Sequence, residues 1–135
     1  GGAAQPKPEF SGGTAIGVQR HIFVAENEAE AKRFAKPAME HHLAALNWLR
    51  LKHGVTGLTS RLNIQRGATF EDCVADKTVI YGTPDMVREQ IEQQVAELGI
   101  NYLLTYMFLG TMTFEDAMRS LKLFAAEVMP KLEKL

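Results

Sequence analysis

The first regular pattern along the chain is Ile16–Val24, IGVQRHIFV, in which Ile16, Val18, Ile22 and Val24 share one side of an extended backbone and Arg20 interrupts them. That alternation predicts a β-strand, with His21 on the opposite, solvent-facing side. Asn27 then stands where a helix cap is wanted. Beyond it Ala31, Ala35, Met39, Leu43, Leu46 and Leu49 recur at helical spacing as far as Gly54, a residue suited to a C-terminal stop. Pro37 lies inside this run, where its ring removes a backbone hydrogen bond, so a kink is expected near Arg33–Lys36.

The second half repeats the alternation. KTVIY, 77 to 81, predicts a short strand; Gly82 turns the chain, Thr83 caps a helix and Pro84 takes its first position, where a missing N–H costs nothing. Val87, Ile91, Val95 and Leu98 form a single apolar seam, with Glu89, Glu92, Gln93 and Gln94 elsewhere on the helix and Gly99 ending it. Ile100 to Met107 is too apolar to be half exposed. It predicts a strand buried on both faces, with Tyr106 and Met107 in the core, as in a parallel sheet covered by helices. A last helix starts at Thr113 and sets Phe114, Ala117, Met118, Leu121, Ala125, Val128 and Leu132 on one side, with Lys131 and Lys134 near its negative pole. The tetrapeptide TFED occurs at Thr69–Asp72 and again at Thr113–Asp116, and two capping boxes explain the echo without a duplicated catalytic motif.

Two stretches lack a period. Residues 1 to 15 carry glycines and prolines and little to bury, and read as a flexible leader before a unit spanning 16 to 135. Residues 55 to 68 read as an irregular connection carrying Arg61 and Arg66, where the choice lies between a solvated loop and an anion contact.

Composition narrows the function classes. Fifteen basic residues against sixteen acidic ones, spread along the chain, leave no stripe of one sign to attract nucleic acid or an anionic membrane. No apolar run approaches the ~20 residues of a bilayer crossing. His41 and His42 are adjacent, so on a helix they diverge by roughly 100° and cannot clasp one metal ion, and His53 is too distant to help. Cys73 has no partner for an internal disulfide, which fits a reducing, cytoplasmic compartment, and its neighbours Glu71, Asp72 and Asp76 disfavour a thiolate. No residue is a convincing general base.

Strand, helix, strand, helix, strand, helix is an α/β order with parallel strands and right-handed crossovers. A complete (β/α)₈ barrel takes about 250 residues, so the chain is either a small open α/β domain or part of something closed. Three segments, HIFVAENEAEAKRFAKPAMEHHL, VIYGTPDMVREQIEQQVAELGINYLLTYMFLG and TFEDAMRSLKLFAAEVMPKL, in this order, resemble the C-terminal portion of the luciferase-like monooxygenases. That family comprises TIM-barrel flavoenzymes and includes the coenzyme F420-dependent reductases.

The resemblance implies a partial TIM barrel, about the last three strand-helix units, with the first five absent. It implies FMN or coenzyme F420 as the cofactor of an intact enzyme, a small organic substrate, and only weak flavin binding by this chain alone, because much of the cofactor contact comes from earlier strands. The residues that would face the barrel mouth are Glu26 and Asn27, Gly82 and Thr83, and Gly110, Thr111 and Met112. A glycine turn at a helix start is also an anion site in principle, although no lysine follows GTPDMV as it would in a P-loop. The competing expectation is a small non-catalytic module that works by assembly, a homodimer burying open strand edges and the apolar faces of helices 28–52 and 114–132.

Overall fold

The computed structural model describes residues 15–53 and 69–132. The expected leader, and the connection carrying Arg61 and Arg66, lie outside these residues apart from Ala15. In chain order the elements are β1 (Gly17–Val24), α1 (Glu28–Lys52), α2 (Phe70–Ala75), β2 (Val79–Gly82), α3 (Pro84–Leu98), β3 (Tyr102–Tyr106), α4 (Phe114–Leu123), a π-helical turn (Phe124–Val128) and α5 (Met129–Leu132).

The local signals that place the helix ends behave as their chemistry requires. Thr69 Oγ1 accepts the Asp72 N–H at 3.1 Å while the Asp72 carboxylate accepts the Thr69 N–H at 2.8 Å, closing a full capping box at the start of α2. Thr83 and Thr113 cap α3 and α4 through the N–H groups of Met86 and Asp116. Gly99 ends α3 in the left-handed region at φ 62°, where a side chain would be strained. α1 is continuous across Pro37, which is exposed, so its ring faces solvent.

All strand pairs are parallel, and the order in the sheet is β2-β1-β3. Three consecutive units of a barrel would put β2 in the middle; here β1 holds that place. Right-handed crossovers then force the helices apart, because β1 steps to one side to reach β2 and β2 steps back past β1 to reach β3. Alternation along β1 shows the result. Phe23 packs with Ala31, Phe34, Ala35, Ala38 and Met39 of α1, whereas its neighbours Ile22 and Val24 pack with Val87 and Ile91 of α3 and Phe124 and Val128 beyond α4. At β1 the sheet is therefore covered on both faces.

The pairing is staggered. β1 meets β3 along Gly17–His21 and β2 along His21–Val24, so among the described residues His21 alone has a strand partner on each side, Tyr106 and Val79. Where β3 stops, the Val24 N–H would be left buried; the Ser120 hydroxyl of α4 accepts it at 2.8 Å. Ser120 is fully buried for that purpose.

Three expectations change. β3 is not buried on both faces: Tyr102, Leu104 and Tyr106 are 52, 50 and 51% exposed, because β3 is an edge strand covered on that face by no helix among the described residues; Leu103 on its other face packs against the core, and Met107 just beyond it joins it. The buried side of the last helix is Ala117, Ser120, Phe124 and Val128, while Phe114 and Leu121 face solvent; the π-helical turn, with its wider winding, keeps Phe124 and Val128 on the sheet. Gln94, grouped with the polar side of α3, is buried. Its Oε1 accepts from Arg20 Nε at 2.6 Å and its amide donates to the Lys77 carbonyl at 3.2 Å, which is how Arg20 is accommodated beneath α3.

Replacing Ser120 with alanine strands the Val24 N–H, and we expect a loss of about 1–3 kcal/mol of stability. Urea unfolding of the two proteins side by side measures it; an unchanged midpoint would mean that the bond contributes nothing.

Candidate functional site

In open parallel sheets, ligands collect beyond the carboxyl ends of the strands. Here that rim is made by Glu26 and Asn27 after β1, Gly82 and Thr83 after β2, and the turn around Gly110 after β3. Their geometry assigns each a local task. Asn27 Oδ1 accepts the Glu30 N–H at 2.9 Å and caps α1. Gly82, at φ 138°, is buried under Met86, whose side chain lies 3.0–3.1 Å from where a Cβ would be. Thr83 spends its hydroxyl on the start of α3.

Gly110, at φ 60°, lies so close to α1 that a Cβ would sit 2.2 Å from the Ala38 carbonyl oxygen. Thr111 is exposed, and Met112 turns inward to the α1 side of the core, its N–H bonded to the Leu109 carbonyl at 3.2 Å. Gly110 and Met112 therefore share packing against α1, while Gly82 and Thr83 belong to the β2–α3 corner.

A flavin phosphate needs converging N–H donors. The first position of α3 is Pro84, which has none, and the next is Asp85, whose carboxylate pairs with Lys131 at 3.1 Å and is held below its ordinary pKa by that bond. This corner does not suit an anion. Among the described residues, no group of three or more His, Cys, Asp and Glu could hold a metal ion, and no helix is long and apolar enough to cross a membrane.

Two features of the rim were not legible beforehand. The first is an open groove of about 640 Å³ lined by Glu26 and by Phe114, Met118, Arg119, Lys122 and Leu123 among others, apolar along its floor with both signs of charge at its edge. The second is an ion cluster joining α1 to α4. Arg119 bonds Glu30 at 2.6 Å and Asp116 at 3.0 Å, and Arg33 reaches Asp116 at 3.1 Å. These arginines come from positions unrelated in sequence, so only the packing of α4 on α1 reveals them.

His21 departs from the solvent-facing position expected of it. Its ring stacks on Tyr106 at 5.5 Å between centroids, meets His42 of α1 edge-on at 5.2 Å, and leaves Nδ1 buried without a hydrogen-bond partner. Burial, and then the neighbouring His42, lower its pKa to about 4; burial and His41 lower that of His42. Cys73 is buried as well, and burial first, with Asp72 and Asp76 behind it, pushes its thiol up and away from reactivity.

No protein-family model matches the sequence, and no curated protein matches it. Among solved structures, the chain is similar to the monooxygenase RslO1 from Streptomyces bottropensis, with a TM-score of 0.56 and 22% identity over 87% of this chain and 31% of that one. It also matches apo-MsnO8, with a TM-score of 0.49 and 22% identity over 87% of this chain and 36% of that one. The chain thus spans about a third of the length of either protein. The likeness to RslO1 is one of fold.

Gly110→Ala should destabilise the chain by roughly 2–4 kcal/mol, combining left-handed strain with a clash against backbone that cannot yield. Thermal unfolding checks it; a variant as stable as the parent would show that α1 can retreat. His21 predicts a pH dependence. Below the ordinary value of 6.5 the unfolded chain takes up a proton that folded His21 refuses until about pH 4, so stability falls as pH drops through that window and levels off beneath it. After allowance for partial exposure, this is on the order of 1–2 kcal/mol. His21→Phe keeps a ring against Tyr106 and should flatten the difference between urea midpoints at pH 7 and pH 4.5; an unaltered slope would assign the effect to other groups.

Proposed function

We propose that this chain is the C-terminal part of a flavin-dependent oxidoreductase of the luciferase-like monooxygenase type. The observation that carries the reading is the fold shared with the monooxygenase RslO1 across 87% of the chain. The ordered segments VA with the polar pair Glu26 and Asn27 at the end of β1, GTP at the start of α3 and LFAAEVMPKL at the close support it independently.

In the intact enzyme, reduced FMN would oxidise a small organic substrate with dioxygen, or F420 would exchange a hydride with it; that chemistry is the cofactor's own. The contribution of this chain is positional. Gly82 and Thr83 set the β2–α3 corner, Gly110–Met112 hold the β3–α4 turn against α1, and the Glu30–Arg33–Asp116–Arg119 cluster fixes the two helices that flank the rim. The partial-barrel reading requires β2 to stand between β1 and β3 in the intact protein, an order this chain does not have by itself. The remaining strands would have to impose it.

A second reading, a non-catalytic α/β module acting through homo-oligomer assembly, is favoured by one specific observation: β3 presents an uncovered apolar face.

Titrating the purified chain with FMN and with F420, and following flavin fluorescence, separates the two. We expect no saturable change at micromolar cofactor for the isolated chain, and recovery of binding when it is expressed in one frame with the strand-helix units encoded upstream of Gly1. Low-micromolar affinity of the chain alone would refute the division of labour proposed here; an upstream frame without such units would refute the enzyme reading.

A further inference from the structure

β3 is YLLTY, Tyr102–Tyr106, an edge strand whose outward side has no strand partner among the described residues. Soluble proteins protect such edges with lysine, proline, a bulge or an inward-pointing charge. β3 has none of these. Its exposed face carries Tyr102, Leu104 and Tyr106, with the Tyr102 ring lying over Gly17 of β1 and that of Tyr106 over His21, so the apolar surface reaches across to β1. Leu46 and Leu49, one and two turns along α1 from His42, are also more than half exposed.

We propose that the occupant of this edge is a second copy of the chain, added antiparallel to β3 about a two-fold axis through Leu104. The pattern of the strand selects that partner. A two-fold dimer uses the same patch on both copies, so strands meeting at the axis must run antiparallel. Centred on Leu104, YLLTY is nearly self-complementary: Leu104 faces its own copy, Tyr102 faces Tyr106 of the partner subunit, and Leu103 faces Thr105 of the partner subunit.

The hydrogen-bond directions agree. The Tyr102 N–H points to β1, where it meets the Ile16 carbonyl at 3.3 Å, so by alternation Leu103 and Thr105 present their N–H and C=O groups outward. These two residues would exchange backbone bonds across the axis. Leu104 and the tyrosines would form the closer, non-hydrogen-bonded pairs, in which aromatic and aliphatic side chains gain most. The product is a continuous six-stranded sheet, parallel within each copy and antiparallel at its centre. A register displaced by one residue would set the tyrosines of one copy on the opposite face from those of the other, and so it is excluded.

This inference rests on the assembly reading and deepens it; a barrel continued from β3 would occupy the same edge. The dimer so formed moves the interface from the helix faces to the sheet edge.

Sedimentation velocity over a micromolar concentration series tests it on the whole chain. The parent protein should show a monomer–dimer equilibrium. Leu104→Lys places two ammonium groups together on the axis, and Thr105→Pro removes an outward N–H while sparing the bonds to β1; each should weaken the dimer at least about tenfold. Circular dichroism shows whether each variant is folded, and either one suffices if the other is not. Phe114→Lys, on the exposed side of α4, should leave the dimer intact.

A parent that stays monomeric would overturn both this proposal and the assembly reading. A dimer indifferent to Leu104→Lys and Thr105→Pro but lost with Phe114→Lys would overturn the edge alone and return the interface to the helices.

Discussion

The arrangement depends on the stagger of three short strands around His21, the only one of the described residues with a strand neighbour on each side. Parallel strands are stable when both faces and both edges are covered, and β1 obtains that cover piecemeal. Its lower half is paired by β3, its upper half by β2, and where β3 gives out the Ser120 hydroxyl closes the backbone. Ile22, Phe23 and Val24, all essentially inaccessible, lie in the upper half, where α1 and α3 face each other through the sheet. Toward the other end the cover thins. Leu46 and Leu49 of α1 and Leu98 of α3 are half exposed there, where β2, which begins only opposite His21, does not extend beneath the ends of these helices.

The same stagger explains what could be read from the sequence. Signals carried within a few residues were legible: the three threonine caps, Pro84 at the first turn of α3, the left-handed Gly99, and β1 and β2 to within a residue or two. What failed was whatever depends on a neighbour distant in sequence. Tyr102–Tyr106 has the composition of a central strand, and nothing in it says that β1, not β2, will be its neighbour or that its other side will be open. Gln94 reads as a surface residue until Arg20 arrives beneath it from β1, and His21 reads as exposed until α1 brings His42 over it. The positions of Gly82, Thr83 and Gly110 at the strand ends were legible from their turn and cap chemistry, but the arginine–carboxylate cluster and the groove beside α4 were not. They are products of helix packing and have no spacing of their own.

The rim shows why locating residues at the ends of strands is only half of a functional argument. A polar group can recognise a ligand only if the fold has left it something to give. Here Thr83 caps α3, Asn27 caps α1, Asp85 is paired with Lys131, and Glu30 and Asp116 hold Arg119 between them. Such a rim is stiff and nearly spent. It can hold the entrance of a site in shape, but it keeps few polar groups of its own with which to recognise a ligand.

β3 presents the opposite case, a surface with everything still to give. Its unguarded backbone and aromatic face would be an aggregation hazard in an isolated monomer, and a hazard of that kind persists only when something covers it in the working molecule. Either the continuing sheet of a larger protein or a second copy of the chain can satisfy those N–H and C=O groups, and the two are mutually exclusive because β3 has one outward side. Assembly and incorporation into a barrel are thus competing solutions to a single physical demand. A chain that dimerises through β3 has hidden the very edge on which a barrel would have to be completed.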